Sequence, residues 1–220
     1  KVEYKDNQTV NYILGENAYQ KYFPSKKLDK NISKIDIIST LKGNDLVGYI
    51  YEPLFDYFIG KYDGSFQIYS DNYVSEGNGT GIVHQAPAFG EDDYRVCKNY
   101  NIINKHKLPP CPLDANGCFT QEVPDWKGIN VKEADKDIIQ KLKSKNLLFQ
   151  NKSEFHEYPF CWRSDTPLIY RAVPSWFMNV ENIKNDICNN NKKTSWTPSN
   201  LRDGRFGTWL EDARDWCVSR

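Results

Sequence analysis

Turn residues cut this chain into short pieces along its whole length, and no internal repeat organises them. What lies between the turns reads mainly as short strands. Residues 65–69 carry Phe66 and Ile68 at period two after an Asp63-Gly64 turn signal. Residues 81–84 form a brief extended run that Ala86-Pro87 ends, and Trp176, Met178 and Val180 alternate with Phe177 and Asn179. Helical signals are fewer. Residues 91–100 follow Gly90 and open with Glu91, Asp92 and Asp93, the charge that suits a helix N-terminus. Residues 131–145 place Val131, Ala134, Ile138 and Leu142 on one face and end near Asn146, and residues 181–190 set Ile183 one turn from Ile187. Two polar stretches, residues 24–34 and 189–195, read as solvated loops. The sum predicts a β-rich α+β fold, a distorted β-barrel with inserted helices. Residues 196–220 are rich in Trp and Arg, and the expected division is a barrel core over residues 1–180 with a C-terminal extension over 181–220.

At 220 residues and 39% hydrophobic content the chain can bury one substantial core. Lys+Arg and Asp+Glu are equal at 29 each, whereas a protein that grips nucleic acid by itself shows a basic excess. Any such contact is therefore local or borrows charge from elsewhere. No run of about 18 apolar residues exists, so no membrane partner is expected. Lys1 opens the chain without a signal-peptide pattern and DWCVSR closes it without a polar tail, so both ends read as cut from a longer polypeptide. None of the six cysteines is paired at C-x-x-C spacing, and a chain of this length needs no staples; reduced, packed thiols and a reducing compartment such as the cytoplasm are expected. Cys111 and Cys118 read as an incidental pair, His106 and His156 are isolated, and no H-E-x-x-H motif occurs, so no metal is expected.

The segment richest in chemistry is residues 79–94, GTGIVHQAPAFGEDDY. Gly79 and Gly81 flank Thr80, so the backbone can turn tightly and come close to a ligand. His84 sits on a strand that Pro87 ends, and Asp93 falls in the first turn of a helix, where the dipole favours the ionised carboxylate. A fixed, ionised aspartate facing a cleft receives an ammonium group, and an imidazole nearby orients or activates a water. The residues alone thus describe a site for a small cationic ligand. They fit equally a structural role, with Asp92 and Asp93 as helix-start carboxylates and His84 as a satisfied wall residue.

This segment, GTG-x-VH-x-AP-x-x-G-x-x-DY, resembles the signature of the editing insertion of isoleucyl-tRNA synthetases, and VHQAP, FGEDDYRVC and LPPCPLDANGCFT resemble the eukaryotic type. The family's PLFDYF segment is similar to residues 53–58, and YPFCWRSDTPLIYRAVPSWF resembles the run that closes the editing domain. DARDWCVSR resembles the return to the synthetase core, so the likeness covers nearly the whole chain in the right order. It implies the editing-domain barrel shared by the valyl, isoleucyl and leucyl enzymes. It implies a tRNA acceptor end carrying misattached valine as substrate, and the rest of the synthetase chain as partner. No cofactor is implied in this domain, ATP belonging to the synthetic site of the parent enzyme.

By the same resemblance, Asp93 matches the aspartate that receives the α-ammonium and His84 the histidine that limits side-chain size. Whether His84 is also a general base stays open. Thr80, Gly81, Val83, Gln85, Ala86 and Phe89 stand as neighbours that line the substrate. Valine is smaller than isoleucine by one methylene, worth about 1–3 kcal/mol, a magnitude for which the isoleucyl enzyme is itself the standard worked example. A smaller hydrolytic pocket reverses that test. The alternative is a non-catalytic module that only holds the acceptor end. Arg163, Arg171, Arg202, Arg205 and Arg214 near Trp162, Trp176, Trp209 and Trp216 fit either a surface for that end or packing against the parent chain. The family also carries a threonine-rich strand, close to T-T-P-W-T, upstream of this region. Nothing like it stands in the sequence, so the 220 residues alone are expected to deacylate poorly.

Overall fold

The computed structural model describes residues 1–24, 30–75, 79–153 and 155–219. They form two compact units, Lys1–Ala172 and Val173–Arg220. This division lies upstream of the expected 180/181 boundary. The reason is a ladder that keeps residues 177–178 with the C-terminal part: β4 (Phe177–Met178) pairs antiparallel with β5 (Trp216–Cys217).

The first unit opens with a three-stranded antiparallel sheet in the order β2-β1-β3, made of β1 (Val2–Tyr4), β2 (Thr9–Val10) and β3 (Ile32–Ile35). Asn7, at φ 68, makes the β1–β2 turn, a conformation that asparagine tolerates better than most residues. Val2 pairs with both Val10 and Ile35 and is 2% exposed, so it anchors the sheet. Strand β3 begins inside the stretch read as a loop, residues 24–34, and runs one residue past it; residues 25–29 of that stretch lie outside the described residues. Helix α1 (Glu16–Tyr22) follows β2, carrying Tyr19, Tyr22 and the following Phe23 into an aromatic cluster with Tyr12 and Phe149.

Much of the remaining pairing in this unit is single bridges: Ile50 with Gln67, Leu113 with Phe119, Cys118 with Asn130, Phe119 with Lys127, Phe160 with Pro167. The strand expected over residues 65–69 is one of these places. The Tyr51 amide donates to the Phe66 carbonyl and the Ile68 amide to the Tyr49 carbonyl, but Phe66 sits at φ 56, which breaks the pleat beside the bridge. Residues 82–86 run without a ladder partner, so His84 stands on an irregular segment and not on a strand.

Two helices complete the unit. Helix α2 (Glu91–Asn99) buries Val96 and Cys97, and Cys97 packs with Ile102, Ile103, Tyr62 and Tyr69. Helix α3 (Asp135–Ser144) starts later than its apolar pattern suggests: residues 131–134 form turns, with the Glu133 and Ala134 amides both bonded to the Asn130 carbonyl. Its N-terminus rests on a second cluster of Val123, Trp126 and Ala134, against which Phe55, Tyr57, Phe119 and Ile138 pack. All six cysteines are free thiols.

In the second unit, a short 3-10 turn (Glu181–Ile183) leads into α4 (Lys184–Lys192), followed by α5 (Asn200–Asp203) and α6 (Arg205–Glu211). The polar stretch 189–195 is partly helical. Asn191 is buried there because its amide donates to the Arg202 carbonyl at 2.8 Å. Trp196, Phe206 and Trp209 pack in series as tilted rings, with centroids 4.6 and 5.7 Å apart.

Candidate functional site

The site is assembled from a turn, an irregular segment and a helix start. The turn comes first. The Gly15 amide, at the start of α1, donates to the Thr80 carbonyl at 2.7 Å. Gly81 adopts φ +76, and a Cβ there would lie 3.0 Å from the Gly15 Cα. Glycine at position 81 therefore meets two demands, a left-handed backbone and a backbone-to-backbone contact. Thr80 closes the turn locally, its hydroxyl donating to the Ile82 carbonyl at 3.0 Å.

The chain then runs outward. Ile82, Val83 and His84 are all exposed. From Gln85 it turns back toward α2: Pro87 follows Ala86, the Phe89 amide bonds the Ala86 carbonyl at 2.8 Å, and Ala88 is buried at 2% exposure. The Ala88 carbonyl accepts from the Ala172 amide at 2.7 Å, which ties this turn to the end of the unit.

Gly90 then starts α2, with Asp93 in its first turn. The Asp93 carboxylate folds back over the helix start. Its Oδ2 accepts from the Ala86 amide at 3.0 Å, and its Oδ1 accepts from the Tyr73 hydroxyl at 3.3 Å. A methyl group at Gly90 would stand 2.8 Å from Oδ2, so only glycine leaves room for this orientation. Two donors occupy part of a carboxylate that offers about four lone-pair sites. Among the described residues no Lys, Arg or His forms an ion pair with Asp93. Asp93 itself is half-buried.

The obvious cation is engaged elsewhere. Arg95 clamps Asp71 with two bonds, Nη1 to Oδ2 at 2.9 Å and Nη2 to Oδ1 at 2.8 Å, and reaches Asp92 at 3.0 Å from Nη2. The guanidinium holds the Asp71 carboxyl down to about 2, below the usual carboxylate range. The same fork raises Arg95 further above its ordinary value. Asp71 also accepts from the Tyr73 amide at 3.2 Å, and the Arg95 guanidinium stands 5.8 Å from the Tyr73 ring centroid. Residues 71–73 are thus locked onto α2.

The structure brings Gln85, Ala86 and Asp93 into one hydrogen-bonded group through Tyr73, to whose hydroxyl the Gln85 amide donates at 3.1 Å. It does not hydrogen-bond His84 to Asp93, and Thr80 and Gly81 belong to the turn on α1. Tyr73, Asp71 and Arg95 were not foreseen. The Asp92–Arg95 spacing of i,i+3 is a legible helix pair; the link from Arg95 back to Asp71 has no local sequence signal. Among the described residues no group of three His, Cys, Asp or Glu side chains is placed to hold a metal ion. Likewise, no helix is long and apolar enough to cross a membrane.

The profile of the family described as tRNA synthetases class I (I, L, M and V) matches residues 1–220. The chain is similar to an isoleucine–tRNA ligase of Bdellovibrio bacteriovorus, 54% identical over 196 residues, covering 89% of this chain and 18% of that protein. It is similar to the cytoplasmic isoleucine–tRNA ligase of Mus musculus, 51% identical over 194 residues, covering 88% of this chain and 15% of that protein. An isoleucine–tRNA ligase of Chlamydia trachomatis is 45% identical over 221 residues, spanning 100% of this chain and 20% of the relative. The chain therefore spans a fifth or less of the length of these relatives.

Proposed function

The chain belongs to the class I tRNA synthetase family of the I, L, M and V enzymes, and from that premise we propose that it is the editing part of an isoleucine–tRNA ligase, hydrolysing valine misattached to isoleucine tRNA. The observation that carries this reading is the state of Asp93. It is a carboxylate fixed by two donors, in the first turn of a helix, with no ion-pair partner among the described residues. Such a group is short of one cation, and the α-ammonium of an aminoacyl ester supplies it. Its place in the first turn of α2 sets it where the helix dipole favours a negative group.

The ester between amino acid and ribose is already activated. Hydrolysis then needs mainly a held substrate and a placed water. In this reading Asp93 holds the amine, and His84, exposed beside Ile82 and Val83, closes the pocket around the side chain when the acceptor end is bound. A pocket shaped for valine overpacks with isoleucine, at about 1–3 kcal/mol. The framework in this reading is a distorted barrel, a fold carried by the family likeness; the described residues pair as a three-stranded sheet, a two-stranded ladder and isolated bridges. The whole protein would join isoleucine to its tRNA in the cytoplasm, as the mouse relative, a cytoplasmic isoleucine–tRNA ligase, is named to do, with ATP used at the synthetic site of the parent enzyme.

The test is release of valine from Val-tRNA by the full-length synthetase carrying this segment. Asp93→Ala is expected to lower the rate about a hundredfold, the cost of a misplaced substrate; full activity in that variant would overturn the assignment. His84→Ala is expected to let correctly charged Ile-tRNA be hydrolysed, and unchanged discrimination would remove His84 from the sieve.

A further inference from the structure

We propose that Tyr73 is a positioning residue of this site: its hydroxyl, aimed by Gln85, fixes the Asp93 carboxylate in the orientation that receives the substrate ammonium. The inference rests on the editing reading of Asp93 and adds a residue to it.

The argument runs through hydrogen-bond direction. Asp93 is acceptor-only, so at 3.3 Å the Tyr73 hydroxyl must donate to it. A hydroxyl has one proton, so toward Gln85 it can only accept, and the Gln85 amide Nε2 donates to it at 3.1 Å. That fixes which end of Gln85 faces Tyr73. Its other end, Oε1, faces the Cys97 thiol at 3.9 Å. Three side chains from three segments therefore point their protons the same way, from Cys97 inside α2 through Gln85 and Tyr73 to Asp93. Both donors at the ends of this chain keep their protons. Burial pushes the Cys97 thiol up to about 11, and burial raises Tyr73 above its ordinary value.

The alternative is that Tyr73 only pins its own loop. That work is already done by other groups, because Asp71 is clamped by Arg95 and the Tyr100 hydroxyl bonds the Ser70 carbonyl at 2.8 Å. The hydroxyl of Tyr73 is surplus to anchoring the loop. What it adds is a second fixed point on a carboxylate that would otherwise pivot about the Ala86 amide.

The experiment uses the full-length synthetase and two esters on isoleucine tRNA: Val-tRNA, and its 2-hydroxyisovaleryl counterpart, in which a hydroxyl replaces the α-ammonium. The readout is the ratio of their deacylation rates within one enzyme preparation, which does not depend on the active fraction. A purely structural defect slows both esters and leaves the ratio alone. Tyr73→Phe is expected to lower kcat/KM for Val-tRNA about tenfold, in line with the loss of a hydrogen bond to a charged group, and to slow the hydroxy ester far less, so the ratio contracts. Gln85→Met, which leaves the Tyr73 hydroxyl in place but removes its orienting donor, is expected to contract the ratio in the same direction by a smaller factor. An unchanged ratio in both variants overturns the role of Tyr73. Asp93→Ala separates the two layers. If it collapses the ratio while Tyr73→Phe does not, only the present inference fails; if it leaves the ratio intact, the reading of Asp93 itself fails.

Discussion

Two aspartates in the first unit are built almost alike and end in opposite electrostatic states. Asp93 and Asp125 each accept a hydrogen bond from a tyrosine far away in sequence, Tyr73 and Tyr57 respectively. Both sit beside a buried cluster, one at the start of α2 and the other on a 3-10 turn (Pro124–Trp126). Asp125, however, also accepts from Lys141 on α3, whose ammonium covers the Trp126 ring at 5.1 Å. That lysine and then Tyr57 hold the Asp125 carboxyl below its ordinary value. Asp93 has only neutral donors, because the nearby guanidinium of Arg95 is engaged by Asp71 and Asp92. A carboxylate closed by a cation of its own chain is a fastener. One held by neutral donors keeps its charge for a ligand.

The sharpest way to break this contrast is to neutralise each aspartate in turn. Asp93→Asn is expected to cut deacylation of Val-tRNA about a hundredfold while leaving the unfolding midpoint nearly unchanged. Asp125→Asn is expected to do the reverse, lowering the midpoint and leaving deacylation within about twofold, since its partners, Tyr57 and Lys141, share no hydrogen bond with Asp93, Tyr73 or Gln85. Equal effects of the two changes on the rate would dissolve the distinction.

A smaller effect is expected at the turn that carries the site. Gly81→Ala places a side chain at φ +76 against the Gly15 backbone. The cost should be about 1–3 kcal/mol in chemical denaturation, with a partial loss of deacylation because the same turn leads into residues 82–86. A variant as stable as the parent would show that this contact relaxes freely.

The smallest effect is a pH slope. The folded carboxyl of Asp71 titrates at about 2 against an ordinary 3.8. Its folded value is depressed, so its contribution to stability is present above about pH 4 and is lost as the pH falls toward 2. Asp71→Asn is expected to flatten that part of the curve of unfolding midpoint against pH. An identical slope in the variant would mean that the Arg95 clamp is not felt by the fold.

Some of this was legible in the sequence. Three acidic residues after Gly90 marked the start of α2, and Asn146, now seen at φ 55, marked where α3 ends. The glycines around Thr80 were read as a turn and are one. The rest was decided by contacts that local patterning does not encode. Phe66 alternates like a strand residue but adopts φ 56, because the chain turns there beside the Ile50–Gln67 bridge. Strand β3 hides Ile32 and Ile35 among polar neighbours and exists because β1 lies beside it. Asn191 sits in a polar run and is buried because the Arg202 carbonyl waits for its amide. Tyr73 looked like any other tyrosine; its hydroxyl matters only once Gln85 and Asp93 are folded against it.

Where Gly81 meets Gly15, main chain touches main chain and no side chain intervenes. On the Gly81 side such a joint cannot be adjusted by swapping in a slightly larger residue. In a saturation library, position 81 should return glycine alone, whereas position 15, at φ −65 with its nearest neighbour 3.3 Å from a built Cβ, should admit alanine at a modest penalty. Variation near Asp93 would then have to enter through residues 82–89, hinged on a seam that itself stays still.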